Sequence, residues 1–206
     1  MSLRPRSLFA IAVLGTAAGA YWARRNPSAC PYALRFFVEG PHPGIGRSRL
    51  MEILEPRPGE RLLELGPGTG YYSLAVAASL DGGSLDVLDV QQEMLDHTMR
   101  EAAESGIANI VPTCADARSL PYGTGSFDGA FLVTVLGEIP DQTLALGELA
   151  RVIKPGGRLV FGETLLDPHV VMPGKLRGQV EEAGFRFERQ VGTPLAYFAR
   201  FRRSTP

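Results

Sequence analysis

From about residue 50 the chain alternates short apolar runs with segments of helical period. LMEILEP reads as a short helix and RLLELG as a buried strand; YYSLAVAASL is helical and stops at Asp81-Gly82-Gly83. SLDVLDV reads as a second strand. QQEMLDHTMREAAESG is a second amphipathic helix, with Met94, Leu95, Thr98, Met99 and Ala102 at helical spacing and Gly106 at its end. NIVPTCAD and SFDGAFLVTV are two more strands. TLALGELARVI is a helix stopped by Lys154-Pro155-Gly156-Gly157, and RLVFGE is the fifth strand. PGKLRGQVEEAGF is the last helix, and FRFERQV and LAYFARFRR are two strands with no helix between them. Strands alternating with helices predict a doubly wound, mostly parallel α/β sheet with helices on both faces. The final pair predicts an antiparallel end to it.

The first quarter of the chain follows another pattern. Ser7 to Ala23 carries no charge, with Arg4 and Arg6 before it and Arg24 and Arg25 after it. A spanning helix wants about 20 apolar residues and at least about 17, so this segment is short for one. Tyr21 and Trp22 stand at its end, where amphipathic rings favour the headgroup layer. A membrane anchor, a cleaved signal peptide (Ala18-Gly19-Ala20 is an A-x-A site) and a packed helix compete, and apolar residues all round favour the anchor. Residues 26–49, rich in proline and glycine among aromatics, read as a linker or lid. The expected division is an apolar anchor over 1–25, a linker or lid over 26–49, and one folded domain over 50–206.

Composition narrows this further. At 206 residues and 45% hydrophobic content the chain supports one well-buried domain with an appendage. A formal net charge of −1 argues against a surface that binds nucleic acid by phosphate attraction. Cys30 and Cys114, and His42, His97 and His169, are too scattered to suggest a metal centre.

The candidate chemistry lies in LLELGPGTGYYSLAVA, residues 62–77, where Glu64 ends a strand and Gly66, Gly68 and Gly70 follow at alternate positions. Such a turn lets backbone approach a ligand where a Cβ would collide, and marks a nucleotide-type cofactor site at the first turn of an α/β sheet. The dinucleotide pattern G-x-G-x-x-G fails at Tyr71. E-x-G-x-G-x-G instead resembles the first motif of the class I S-adenosylmethionine-dependent methyltransferases. The resemblance extends over about residues 50–203. LDVLDVQQEML is similar to the V-D-x-S-x-x-M-L signature of the small-molecule branch, with Gln91 and Gln92 replacing small polar residues. ADARSLPYGTGSFD matches the A-D-A-x-x-L-P-[FY]-x-x-x-S-F-D pattern, and Lys154-Pro155-Gly156-Gly157 matches its L-K-P-G-G turn.

The resemblance implies a Rossmann-like fold of seven strands, the last inserted antiparallel, and S-adenosyl-L-methionine as cofactor. It implies cofactor contacts from Glu64, Gly66, Gly68 and Gly70, from Asp89 (both ribose hydroxyls) with Val90, and from Asp116 (the adenine amine) with Ala117. Asp86 falls mid-strand and should point elsewhere, and Asp128 reads as structural. After the fourth strand the chain has Val133-Thr134-Val135-Leu136, not the Asn/Asp-Pro-Pro-Tyr/Phe of base and amide methylases. The histidine common there in the small-molecule branch is also missing, and Gly137-Glu138 stands near its place. Glu138 is either a substrate contact or a helix N-terminal charge, and His169 either a general base or a solvated residue. A small or lipid-like acceptor is expected, with no nucleic acid partner and the domain tethered at the cytoplasmic face of a membrane. A non-catalytic cofactor-binding module and a nucleotide-dependent oxidoreductase are the alternatives.

Overall fold

The structure, a computed structural model, describes residues 28–35 and 42–205. Seven strands form one sheet in the order β3-β2-β1-β4-β5-β7-β6. β1 (Arg61–Leu65), β2 (Ser84–Asp89), β3 (Ile110–Cys114), β4 (Phe127–Val133) and β5 (Ile153–Thr164) run parallel. β7 (Ala196–Arg203) lies antiparallel between β5 and β6 (Phe185–Thr193), as the two unseparated strands predict. The chain reverses direction beside β1, so β1 and β4 part at their carboxyl ends, where open α/β sheets bind ligands.

Alternation along the strands sorts the core into two layers. Leu63, Leu65, Leu132, Leu159 and Phe161 face the helices α4 (Gln142–Val152) and α5 (Pro173–Glu182). Leu62, Val87, Phe131 and Val160 face α1 (Arg47–Leu54), α2 (Ser73–Ala77) and α3 (Gln92–Glu104). Runs apolar on both faces are what a parallel sheet covered on both sides requires. Asp141 caps α4, its carboxylate accepting the Leu144 N–H at 3.1 Å.

Two expectations shift. The helix expected to open the domain near residue 50 starts at Arg47, and Leu50, Ile53 and Leu54 are buried in the core. Arg200 Nη1 donates to the Ile53 carbonyl at 2.9 Å, and Arg158 Nε to that of Leu54 at 2.5 Å, satisfying the last-turn carbonyls. The helix expected over YYSLAVAASL is only the five residues of α2, because the glycine turn runs on through Tyr72. The apolar helix expected over residues 7–23 lies outside the described residues. Among the described residues no helix is long and apolar enough to cross a membrane.

Candidate active site

The carboxyl ends of β1, β2 and β4 enclose a cavity of about 380 Å3, within the range of small-molecule sites. Gly66 and Gly68 form one wall, with φ of +66° and +57° that disfavour any side chain. The Gly66 N–H continues the sheet by donating to the Leu88 carbonyl at 2.8 Å, and a Cβ there would meet Val135 Cγ2 at 2.4 Å. The loop is therefore held against the cavity with no room for anything but glycine at its first bend.

Asp89, Val90, Asp116 and Ala117 line the same cavity. Asp89 is 9% exposed, and burial pushes its carboxyl up, against the N–H groups of Gln91 (2.9 Å) and Val90, which favour the ionised form. Asp116 is held low by Arg118, whose Nη2 donates to it at 2.6 Å and whose N–H donates at 2.8 Å. Six of the eight residues that the family resemblance implies as cofactor contacts thus meet on one surface. Glu64 and Gly70 do not line it. Glu64 is buried beneath the loop, where it accepts the Ser73 hydroxyl at 2.5 Å, and desolvation raises its carboxyl to about 8. Gly70 turns the other way, its Cβ position filled by Leu74 and Thr98. Both build the loop from behind. Asp86 pairs with Arg61 at 2.7 Å and Asp128 with Lys154 at 2.5 Å, away from the cavity.

The two candidate acid–base groups separate. Glu138, in the 3-10 turn Leu136–Glu138, lines the cavity itself; burial first, then Asp167, pushes its carboxyl to about 8. His169 lines a neighbouring cleft that shares Ile139 and Pro140 with the cavity. Its backbone N–H donates to Asp167 at 2.7 Å. Glu163 is buried nearby, accepts the Val171 N–H at 3.0 Å, and is also raised to about 8 by burial. Thr134 joins the wall with φ +56°, a strained angle for a β-branched residue, its N–H donating to the Gly162 carbonyl at 2.8 Å.

Of the linker or lid expected over 26–49, residues 28–35 and 42–49 are described. Ser28, Ala29 and Cys30 lie on the cavity wall. The Gln91 side chain grips this strap from both sides of Pro31: Nε2 donates to the Cys30 carbonyl at 2.9 Å, and Oε1 accepts the Tyr32 N–H at 3.1 Å. The grip's only trace in the sequence is that a glutamine replaces the usual small residue. Tyr32 does not line the cavity; its hydroxyl meets His97 Nδ1 at 3.2 Å. Residues 36–41 of the expected linker or lid lie outside the described residues.

Residues 62–157 match the family described as a methyltransferase domain. That match supports the resemblance to the class I S-adenosylmethionine-dependent methyltransferases. An O-methyltransferase of Pyrenophora dematioidea is 31% identical over 157 residues, 66% of this chain and 58% of that one. A demethylmenaquinone methyltransferase of Clavibacter sepedonicus is 38% identical over 129 residues, 60% of this chain and 51% of that one. The chain thus spans little more than half the length of these relatives. A solved S-adenosylmethionine-dependent methyltransferase from Aquifex aeolicus shares the fold, with a TM-score of 0.76 at 19% identity over 84% of this chain and 98% of that one.

S-adenosylmethionine is the cofactor that goes with this resemblance, and the residues fit it. Gly66 and Gly68 put bare backbone on the cavity lining, Asp89 presents acceptors for hydroxyl donors, and Asp116 is an acceptor for an amine. Leu65, Leu88, Met94 and Val133 supply apolar lining.

Proposed function

We propose that the protein transfers a methyl group from S-adenosylmethionine to a small apolar acceptor bearing a weakly acidic hydroxyl, such as a quinol or phenol. The observation that carries this is one cavity holding the glycine wall, Asp89 and Asp116, and, on its lining too, the half-buried carboxyl Glu138. When bound, the cofactor supplies a methyl on a positively charged sulfur, already activated for in-line displacement. The protein's own tasks are then positioning and exclusion of water. Gly66 and Gly68 let the backbone approach, Asp89 and Asp116 accept hydrogen bonds, and the strap clamped by Gln91 covers the wall. Glu138, with its carboxyl near 8, matches a phenolic proton better than an ordinary carboxylate does, which suits it to take that proton as the oxygen attacks.

The names of the relatives, an O-methyltransferase and a demethylmenaquinone methyltransferase, support an oxygen- or carbon-directed reaction on such an acceptor. The apolar segment 7–23 supports a membrane tether for the domain. Arginines number two before it (Arg4, Arg6) and five soon after it (Arg24, Arg25, Arg35, Arg47, Arg49), which supports a cytoplasmic domain. The full chain is incubated with S-adenosylmethionine and a demethylated menaquinol in vesicles, and mass spectrometry follows the acceptor. A gain of one methyl with equal S-adenosylhomocysteine supports the reading. Cofactor binding without turnover on any phenol or quinol would leave a binding module instead.

A further inference from the structure

Exposed apolar side chains are ordinary when scattered over a surface and informative when they gather. Here they gather on the edge that carries the cavity mouth. Val90 follows the carboxyl end of β2, and Leu165 and Leu166 follow that of β5. Leu195 precedes the antiparallel β7, and its carbonyl accepts the Leu165 N–H at 2.7 Å. Leu144 and Met172 open α4 and α5 at the same edge, and Leu34 lies just beyond the strap over the cavity. Leu166 is 73% exposed. Among the exposed large apolar side chains of the described residues, only Val111, on the outer strand β3, lies elsewhere.

The chain's own length says what could cover this edge. The uncharged segment 7–23 ends five residues before Ser28, and Ser28 is on the cavity wall. Extended chain covers at most about 3.6 Å per residue, so any bilayer holding the segment lies within roughly 18 Å of the mouth. Seventeen uncharged residues stand at the lower limit for a span, and a tether at one end leaves the domain's orientation free until a second contact fixes it. We propose that the leucine-bearing carboxyl edge is that second contact, a face that seats on a lipid bilayer with the cavity mouth toward the acyl chains. It rests on the tether and apolar acceptor proposed above, and it gives the acceptor a route into the cavity that does not pass through water.

The test reads contact, not turnover. Trp22 is the chain's one tryptophan, so Trp22→Phe gives a silent background for Leu166→Trp, with Val111→Trp as the control. Each full-length variant is mixed with phosphatidylcholine vesicles whose acyl chains carry bromine, a contact quencher, or with unbrominated ones. Cofactor binding by calorimetry confirms that each is folded. The expected result is loss of emission and a blue shift for the indole at 166, with the indole at 111 unquenched. A vesicle-bound chain whose indole at 166 stays unquenched would overturn the proposal, leaving the tether alone in the membrane. So would a chain that does not float with vesicles, or a lipid-free dimer that Leu166→Gln dissociates. Quenching with no methylated product would leave the docking face standing and remove the acceptor reading alone.

Discussion

Asp89 has to stay ionised where burial disfavours its charge, and the N–H groups of Gln91 and Val90 are what offset that cost. Hydrogen bonds to charged groups contribute about 1.5–3 kcal/mol each, and about 1.4 kcal/mol is tenfold in affinity. Asp89→Ala should therefore weaken S-adenosylmethionine binding at least about tenfold, read by titration calorimetry; unchanged affinity would remove Asp89 from the site. Glu138 stands in the opposite condition, protonated over most of the neutral range because its carboxyl is raised to about 8. A base works in its ionised form, which here accumulates only above about pH 8. The kcat/KM for a phenolic acceptor should rise through that pH, and Glu138→Gln should flatten the rise while leaving cofactor affinity within about twofold, well under the worth of one such bond. Superimposable pH profiles for the two proteins would rule out the proton-accepting role.

Glycine does different work where two elements meet. Gly137, in the turn after β4, has ordinary φ, yet a Cβ there would lie 1.8 Å from the His169 carbonyl oxygen. That contact seats the turn bearing Glu138 on the loop after β5. Gly137→Ala should cost about 1–3 kcal/mol in a urea melt, the usual range for overpacking. Turnover should fall more than cofactor affinity, because the displaced turn carries Glu138 and not the glycine wall. Equal losses in both would mean that the turn and the cofactor wall move as one unit. No periodicity in the sequence signals this contact: it joins residues 32 apart whose side chains have no pattern in common. The strands were legible because parallel strands buried on both faces are continuous apolar runs bounded by turns. The glycine wall, Asp89 and Asp116 were legible because each lies at a strand end in a motif of fixed spacing. Glu64 and Gly70 belong to the same motif, and the fold turns both behind it: Glu64 faces Ser73, and Gly70 faces Leu74 and Thr98. The strap at Cys30 falls in the segment that composition marks as a linker or lid, but the Gln91 clamp that holds it joins residues about 60 apart, which local pattern does not encode.

At the scale of the whole molecule the carboxyls raised by desolvation and those paired with arginine pull stability in opposite directions with pH. Glu64, Glu138 and Glu163 are each raised to about 8, so the folded state holds their protons more tightly than the unfolded chain does. Their contribution is complete below the ordinary carboxyl range and is lost as pH rises through about 8. Glu60 and Glu188 are lowered by Arg158, Arg200 and Arg202, and their contribution is lost as pH falls. The ligand-free chain should be most stable near the ordinary carboxyl value, roughly pH 4 to 5, and lose stability steadily from there to about pH 8, and Glu64→Gln should remove part of that loss in urea melts across pH. An unchanged loss would place its origin outside Glu64. The membrane enters at this scale too, because a tether alters encounter and not chemistry. Holding the domain at a bilayer raises its effective concentration toward dissolved acceptors, whereas an acceptor free in water gains nothing. A chain starting at Asn26 keeps Ser28 to Cys30 on the cavity wall and the Gln91 clamp. It should therefore bind S-adenosylmethionine as the full chain does and methylate a water-soluble phenol at a similar rate. Its rate on a quinol held in vesicles should fall at least about tenfold, the low end of what linked binding sites gain or lose being larger still. Fractionation should find the full chain with membranes and the shortened one in the soluble fraction. Equal rates on the vesicle-held quinol, or both forms soluble, would leave an untethered methyltransferase domain whose apolar segment 7–23 serves some other end.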